Sequence, residues 1–161
     1  MQLQNYLCGE WQDSIGEKRE LFHAVNGKLI ATVGNGRVDF HSALDYARSV
    51  GGPNLRKLTF HQRAQKLKDL ANYLLTKKEM FYELSKATGA TKLDSWIDIE
   101  GGCGNLFNYS SRGRRELPDS NVVLDGKEEI LGKERTFIGQ HILVPKEGCA
   151  VHLNAFNFPV W

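Results

Sequence analysis

The 161-residue chain carries 21 Lys and Arg against 19 Asp and Glu, a formal net charge of +2, with 41% apolar and 25% charged residues. That composition excludes disordered, collagenous and fibrous classes, and the near-balance of charge leaves no electrostatic footprint for nucleic acid or an anionic membrane. The length suffices for one domain with its own core.

Cys8, Cys103 and Cys149 are odd in number and form no C-x-x-C, which argues against a disulfide framework or zinc knuckle and for a reducing compartment. No apolar run approaches the ~20 residues of a membrane helix. The first residues lack the cationic start and apolar middle of a secretory signal, so the location expected is cytoplasmic.

The opening third reads as short strands in hairpins, over Tyr6 to Trp11, Leu21 to Val25 and Leu29 to Val33, punctuated by Gly16, Asn26 and Gly27. From Val38 the period becomes helical, with Phe40, Ala43, Leu44, Ala47 and Val50 on one stripe that Gly51, Gly52 and Pro53 are expected to stop. Thr59 and Gln62 have the spacing of a capping box ahead of a stripe of Ala64, Leu67, Leu70, Ala71, Leu74 and Leu75. Thr76 and Glu79 repeat that spacing, with Leu75 and Met80 as a hydrophobic staple, and Gly89 stands where a left-handed cap would end the helix. A fourth helix is expected from Thr91 with Asp94, through Trp96, Ile99, Cys103 and Phe107, to Arg112. The glycines at 101, 102 and 104 inside it predict a closely approaching backbone. Pro118 to Gly132 reads as a polar connection. Strands follow over Thr136 to Val144 and Cys149 to Leu153, around a Pro145–Gly148 turn.

Several residues invite a chemical reading. Gly34-Asn35-Gly36 lies between a strand and a helix, as a dinucleotide-binding G-x-G-x-x-G requires, but Asp39 fills the last position with bulk and negative charge, so an ordinary turn is preferred. The five histidines lack metal-ligand spacing and no metal site is expected, although His141 and His152 would meet if the last two strands paired. Arg112, Arg114 and Arg115 suit a solvated helix C-terminus better than an anion site. Cys149 reads as a strand residue facing a core. Asn157, between two aromatics and ahead of Pro159, reads either as a turn former or as an amide donor for an oxyanion.

Taken in order, Gly9-Glu10-Trp11, Val25 to Val33, Val38 to Arg48, Arg63 to Leu75, Thr88-Gly89, Val144-Pro145 and Asn157-Phe158-Pro159 resemble the N-terminal portion of an aldehyde dehydrogenase. The stretch from Ser85 to Ser120, with His152 to Pro159, is most similar to the aldehyde dehydrogenase domain of phenylacetate-degradation ring-opening proteins. Ala155-Phe156 departs from the Pro-Trp usual in the family before N-F-P.

The resemblance implies an α/β fold: short strands, four helices, an oligomerisation strand, then the first strand of a cofactor-binding sheet. It divides the chain into an N-terminal helical part of the cofactor-binding domain (1–133), an oligomerisation arm (134–148) and that first strand with N-F-P (149–161). It implies NADP or NAD as cofactor, lined by Leu153, Asn154, Ala155 and Phe156, and Asn157 as the catalytic oxyanion donor. The substrate implied is a small-molecule aldehyde, specifically a CoA-linked semialdehyde, and the partner a second copy of the chain through 136–144; neither nucleic acid nor membrane is expected. The family's nucleophilic cysteine and general-base glutamate follow N-F-P and match nothing in these residues, so the chain is expected to be an inactive portion of such an enzyme. A non-catalytic helical interaction module on the same scaffold is the alternative.

Overall fold

The computed structural model describes residues 1–34, 36 and 38–161. Two antiparallel hairpins open the chain. The first joins β1 (Gln4–Leu7) to β2 (Glu10–Asp13) through Cys8 and Gly9, both at positive φ (53° and 91°), the backbone a two-residue turn needs to follow the strand twist. The single strand expected over Tyr6 to Trp11 is therefore a hairpin bend, with Tyr6 opposite Trp11 and their rings edge to face at 5.1 Å. The second hairpin pairs β3 (Lys18–Phe22) with β4 (Leu29–Gly34).

Four helical rods follow, two of them interrupted by a widened π turn. α1 (Phe40–Tyr46) runs through a π segment, Ala47–Gly51, into α2 (Gly52–Arg56). The stop expected at Gly51-Gly52-Pro53 is thus a continuation. Pro53 has no N–H to donate, but it falls in the first turn of α2, and the π turn before it hands Gly52 N–H to the carbonyl of Ala47.

α3 (Phe60–Thr76) starts with the expected capping box: Gln62 N–H donates to Thr59 Oγ1 at 3.2 Å, and Thr59 N–H to Gln62 Oε1 at 3.0 Å. Its buried contacts are Ala64 and Ala71, while Leu70 turns out to face solvent. α4 (Lys78–Ala87) begins without the second box. Thr76 remains inside α3 and its hydroxyl donates to the carbonyl of Tyr73 at 2.6 Å, leaving Lys77 as an uncapped N-cap and Met80 exposed. Gly89 closes α4 at φ 84°.

α5 (Lys92–Trp96), a π segment at Ile97–Gly101 and α6 (Gly102–Glu116) form the fourth rod, started by Thr91 accepting from Asp94 N–H. α3 and α6 approach through small residues; a Cβ on Gly113 would lie 3.1 Å from the Ala64 methyl. Ile99 and Cys103, 0% and 2% exposed, complete this core, and full burial of a side chain like Ile99 is worth about 1.5–3 kcal/mol. The Ser85 and Ser95 hydroxyls, both buried, bond at 2.7 Å and lock α4 onto α5.

The polar stretch after Pro118 contains a strand the sequence does not announce. β5 (Val123–Ile130) pairs antiparallel with β6 (Ile138–Leu143), the core of the expected 136–144 strand. Conversely, Cys149 to Leu153 forms no strand. Val151 and Leu153 are 81% and 95% exposed, and a strand holds its shape only when a neighbour satisfies its backbone groups. Cys149 is exposed rather than facing a core, and His141 lies opposite Asp125, not His152.

Candidate functional site

Of the expected glycine motif at 34–39, Asn35 and Arg37 lie outside the described residues. Gly34 N–H donates to Ser14 Oγ at 2.9 Å and Gly36 N–H to the Ile15 carbonyl at 2.5 Å, so neither amide is free for a phosphate. Both glycines lie against the backbone of residues 14–15, where a Cβ would collide. Asp39 caps α1, accepting from Ser42 N–H at 3.0 Å and Ser42 Oγ at 2.7 Å. Those bonds, the backbone one foremost, hold its carboxyl below the usual range, and the protein's own anion sits on that helix start.

The basic cluster is likewise internally occupied at one point: Arg112 and Glu116 form a forked pair one helical turn apart, at 3.0–3.2 Å. Among the described residues no group of three or more His, Cys, Asp or Glu could hold a metal ion. No helix is long and apolar enough to cross a membrane.

The remaining candidate is the terminal segment. Leu153 to Asn157 runs exposed, with Phe156 95% accessible, into a turn at Phe156-Asn157. Among the described residues, 149–158 make no hydrogen bond, so the backbone groups of Leu153 to Phe156 and the Asn157 amide are open to a ligand. Phe156, Asn157 and Phe158 form one wall of a cleft of about 450 Å³ whose other wall is Thr88, Gly89, Ala90 and Asp94, the junction of α4 and α5. A side-chain amide at such a mouth can donate to a carbonyl oxygen that gains charge.

The three cysteines differ in setting. Cys103 is buried, and desolvation, with the Glu100 carboxylate adding to it, pushes its thiol up and away from the reactive thiolate. Cys149 and Cys8 are exposed, and Cys8 Sγ faces the Ser42 carbonyl at 3.7 Å.

Sequence reasoning passed over Asp98. It is 2% exposed, and its carboxylate accepts from Trp161 N–H at 2.7 Å and Val160 N–H at 3.1 Å, tying the terminal turn to the fourth rod. The available signal was an acid placed directly before Ile99 on the inward side of the helix. The close approach expected at the glycines is provided by Trp161, which covers Gly101 and Gly102; Gly104 faces open space.

No family model matches the chain. It is 36% identical over 162 aligned positions to 3,4-dehydroadipyl-CoA semialdehyde dehydrogenase of Aromatoleum evansii, covering 100% of this chain and 31% of that protein. The chain thus spans about a third of its curated relative's length. Among solved structures it is similar to betaine aldehyde dehydrogenase of Staphylococcus aureus in complex with NAD+. Two point mutants of that enzyme each match with a TM-score of 0.64 and 22% identity over 78% of this chain and 25% or 26% of theirs. Its double mutant matches with the same TM-score over 79% of this chain. The chain is thus similar along its whole length to part of a semialdehyde dehydrogenase, and most of it shares the fold of part of a solved aldehyde dehydrogenase.

Proposed function

We propose that these residues form the N-terminal part of an NAD(P)-dependent enzyme that oxidises a CoA-linked semialdehyde of aromatic-acid breakdown, such as phenylacetate catabolism, to its carboxylic acid. The observation that carries this reading is the 36% identity to a CoA-semialdehyde dehydrogenase across the whole chain. The overall reaction takes the aldehyde, water and NAD(P)+ to the acid, NAD(P)H and protons.

Bound dinucleotide supplies the hydride acceptor. Leu153, Asn154, Ala155 and Phe156 suit its approach because their backbone donors and acceptors are unspent and open. Residues 149–161 would take up strand structure once neighbouring strands of a sheet flank them, since their unpaired groups are what a ladder consumes. Asn157 donates to the aldehyde oxygen as it becomes an oxyanion. The nucleophile and the base that activates water come from the two thirds of such an enzyme that these residues do not represent. β6, with Ile138, Ile142 and Leu143 each more than half exposed, is the surface for pairing with a second copy.

The test joins these 161 residues in frame to the remaining two thirds of the Aromatoleum evansii enzyme. NAD(P)H formation from 3,4-dehydroadipyl-CoA semialdehyde is then followed. The chimera turns over, the 161 residues alone do not, and Asn157→Ala in the chimera lowers kcat about 100-fold to 1000-fold. A folded chimera without turnover, or turnover by the 161 residues alone, overturns the reading.

A further inference from the structure

The turn that carries Asn157 is fixed to the rest of the molecule at one point. Residues 149–158 make no hydrogen bond among the described residues, and the chain is caught again only at Val160 and Trp161. Both N–H groups there converge on one buried carboxylate. Asp98 Oδ1 accepts from Trp161 at 2.7 Å and from Val160 at 3.1 Å, with Oδ2 3.3 Å from the latter. Asp98 forms no ion pair with any described residue, so these main-chain donors are what compensates its burial.

The helix is shaped for the same contact. Asp98 lies in the π segment Ile97–Gly101, a widened turn that alters the direction of its side chains. Next to it, Gly101 and Gly102 leave the space Trp161 occupies. A Cβ on Gly101 would come within 2.5 Å of the indole, and one on Gly102 within 2.9 Å of the Trp161 Cα. Carboxylate, widened turn and paired glycines form a single receptor for residues 160–161.

We propose that Asp98 is a positioning residue: its carboxylate, with the Gly101-Gly102 platform, anchors Val160-Trp161 and thereby holds Asn157 at the mouth of the cleft beside Gly89. This deepens the proposed function, since it rests on Asn157 being the oxyanion donor. The anchor itself is measured without any aldehyde.

Amide hydrogen exchange and the 15N relaxation of the Asn157 backbone amide are followed by NMR on the 161-residue chain. In Asp98→Ala the Val160 and Trp161 amides lose protection about tenfold to a hundredfold, and the Asn157 backbone becomes more mobile in 15N relaxation, while α3 keeps its protection. Asp98→Asn, which retains an acceptor oxygen, restores most of the protection at Trp161. Gly102→Ala leaves Asp98 in place and favours the helix, yet gives the same loss because the added methyl displaces Trp161.

Unchanged protection or unchanged Asn157 backbone relaxation in Asp98→Ala overturns the proposal, as does a loss that spreads through α3 and α6. An Asn157→Ala chimera with undiminished kcat would instead remove the oxyanion role while leaving the exchange result standing.

Discussion

Residue environments separate the three thiols cleanly. Cys8 and Cys149 are exposed, whereas Cys103 is buried with its pKa raised by desolvation and by Glu100. At pH 8 a thiol reagent therefore titrates two cysteines rapidly in the native chain and the third only after denaturation. Fast reaction of all three would show that the core around Ile99 is open. Asp39 gives a second lesson. In the sequence it spoiled a glycine motif; in the structure the same carboxylate caps α1 and the glycines sit against residues 14–15, so local packing accounts for the pattern.

Among the elements, what could be read in advance depended on how local its cause was. The Thr59 and Gln62 pair lies three residues apart and forms as expected, because both its bonds close within one turn. Thr59→Ala removes that cap, and also the hydroxyl bond to Asp119 at 2.5 Å, lowering stability by about 0.5–2 kcal/mol in denaturant unfolding. No change in midpoint would show that the helix start is held by Phe60 N–H to the Ser120 carbonyl instead. Thr76 and Glu79 carry the same spacing and form no box, since the preceding helix simply runs one residue further. β5 escaped notice because its middle, Asp125 to Glu129, is polar and exposed, and only the ladder to β6 makes it a strand. Cys149 to Leu153 failed in the opposite sense: strand-like residues without a ladder.

At the scale of the molecule, α3, α4 and the fourth rod pack around a core of mostly small residues to which the first rod adds no buried side chain, while the terminal segment leaves Val151, Leu153 and Phe156 almost fully accessible. An interaction module with a finished surface would cover such residues. The chain should accordingly bind a hydrophobic dye and self-associate in sedimentation. Leu153→Ser with Phe156→Ser should weaken both while leaving the melting temperature unchanged, because neither side chain is packed. Dye binding that persists undiminished would assign the surface to β5 and β6 instead.

Sequence alone determined the superfamily resemblance, the four helical rods, the α3 cap and the Gly89 ending, all of which follow from neighbours in the chain or from a linear order of motifs. Tertiary structure decided which glycines are spacers and which are turns, that Pro53 continues a helix, and that Asp98 holds a backbone 62 residues away. The physical reason is range. Capping and periodicity act within a turn or two, whereas the worth of a buried carboxylate or an unpaired strand depends on which distant groups the fold brings to it.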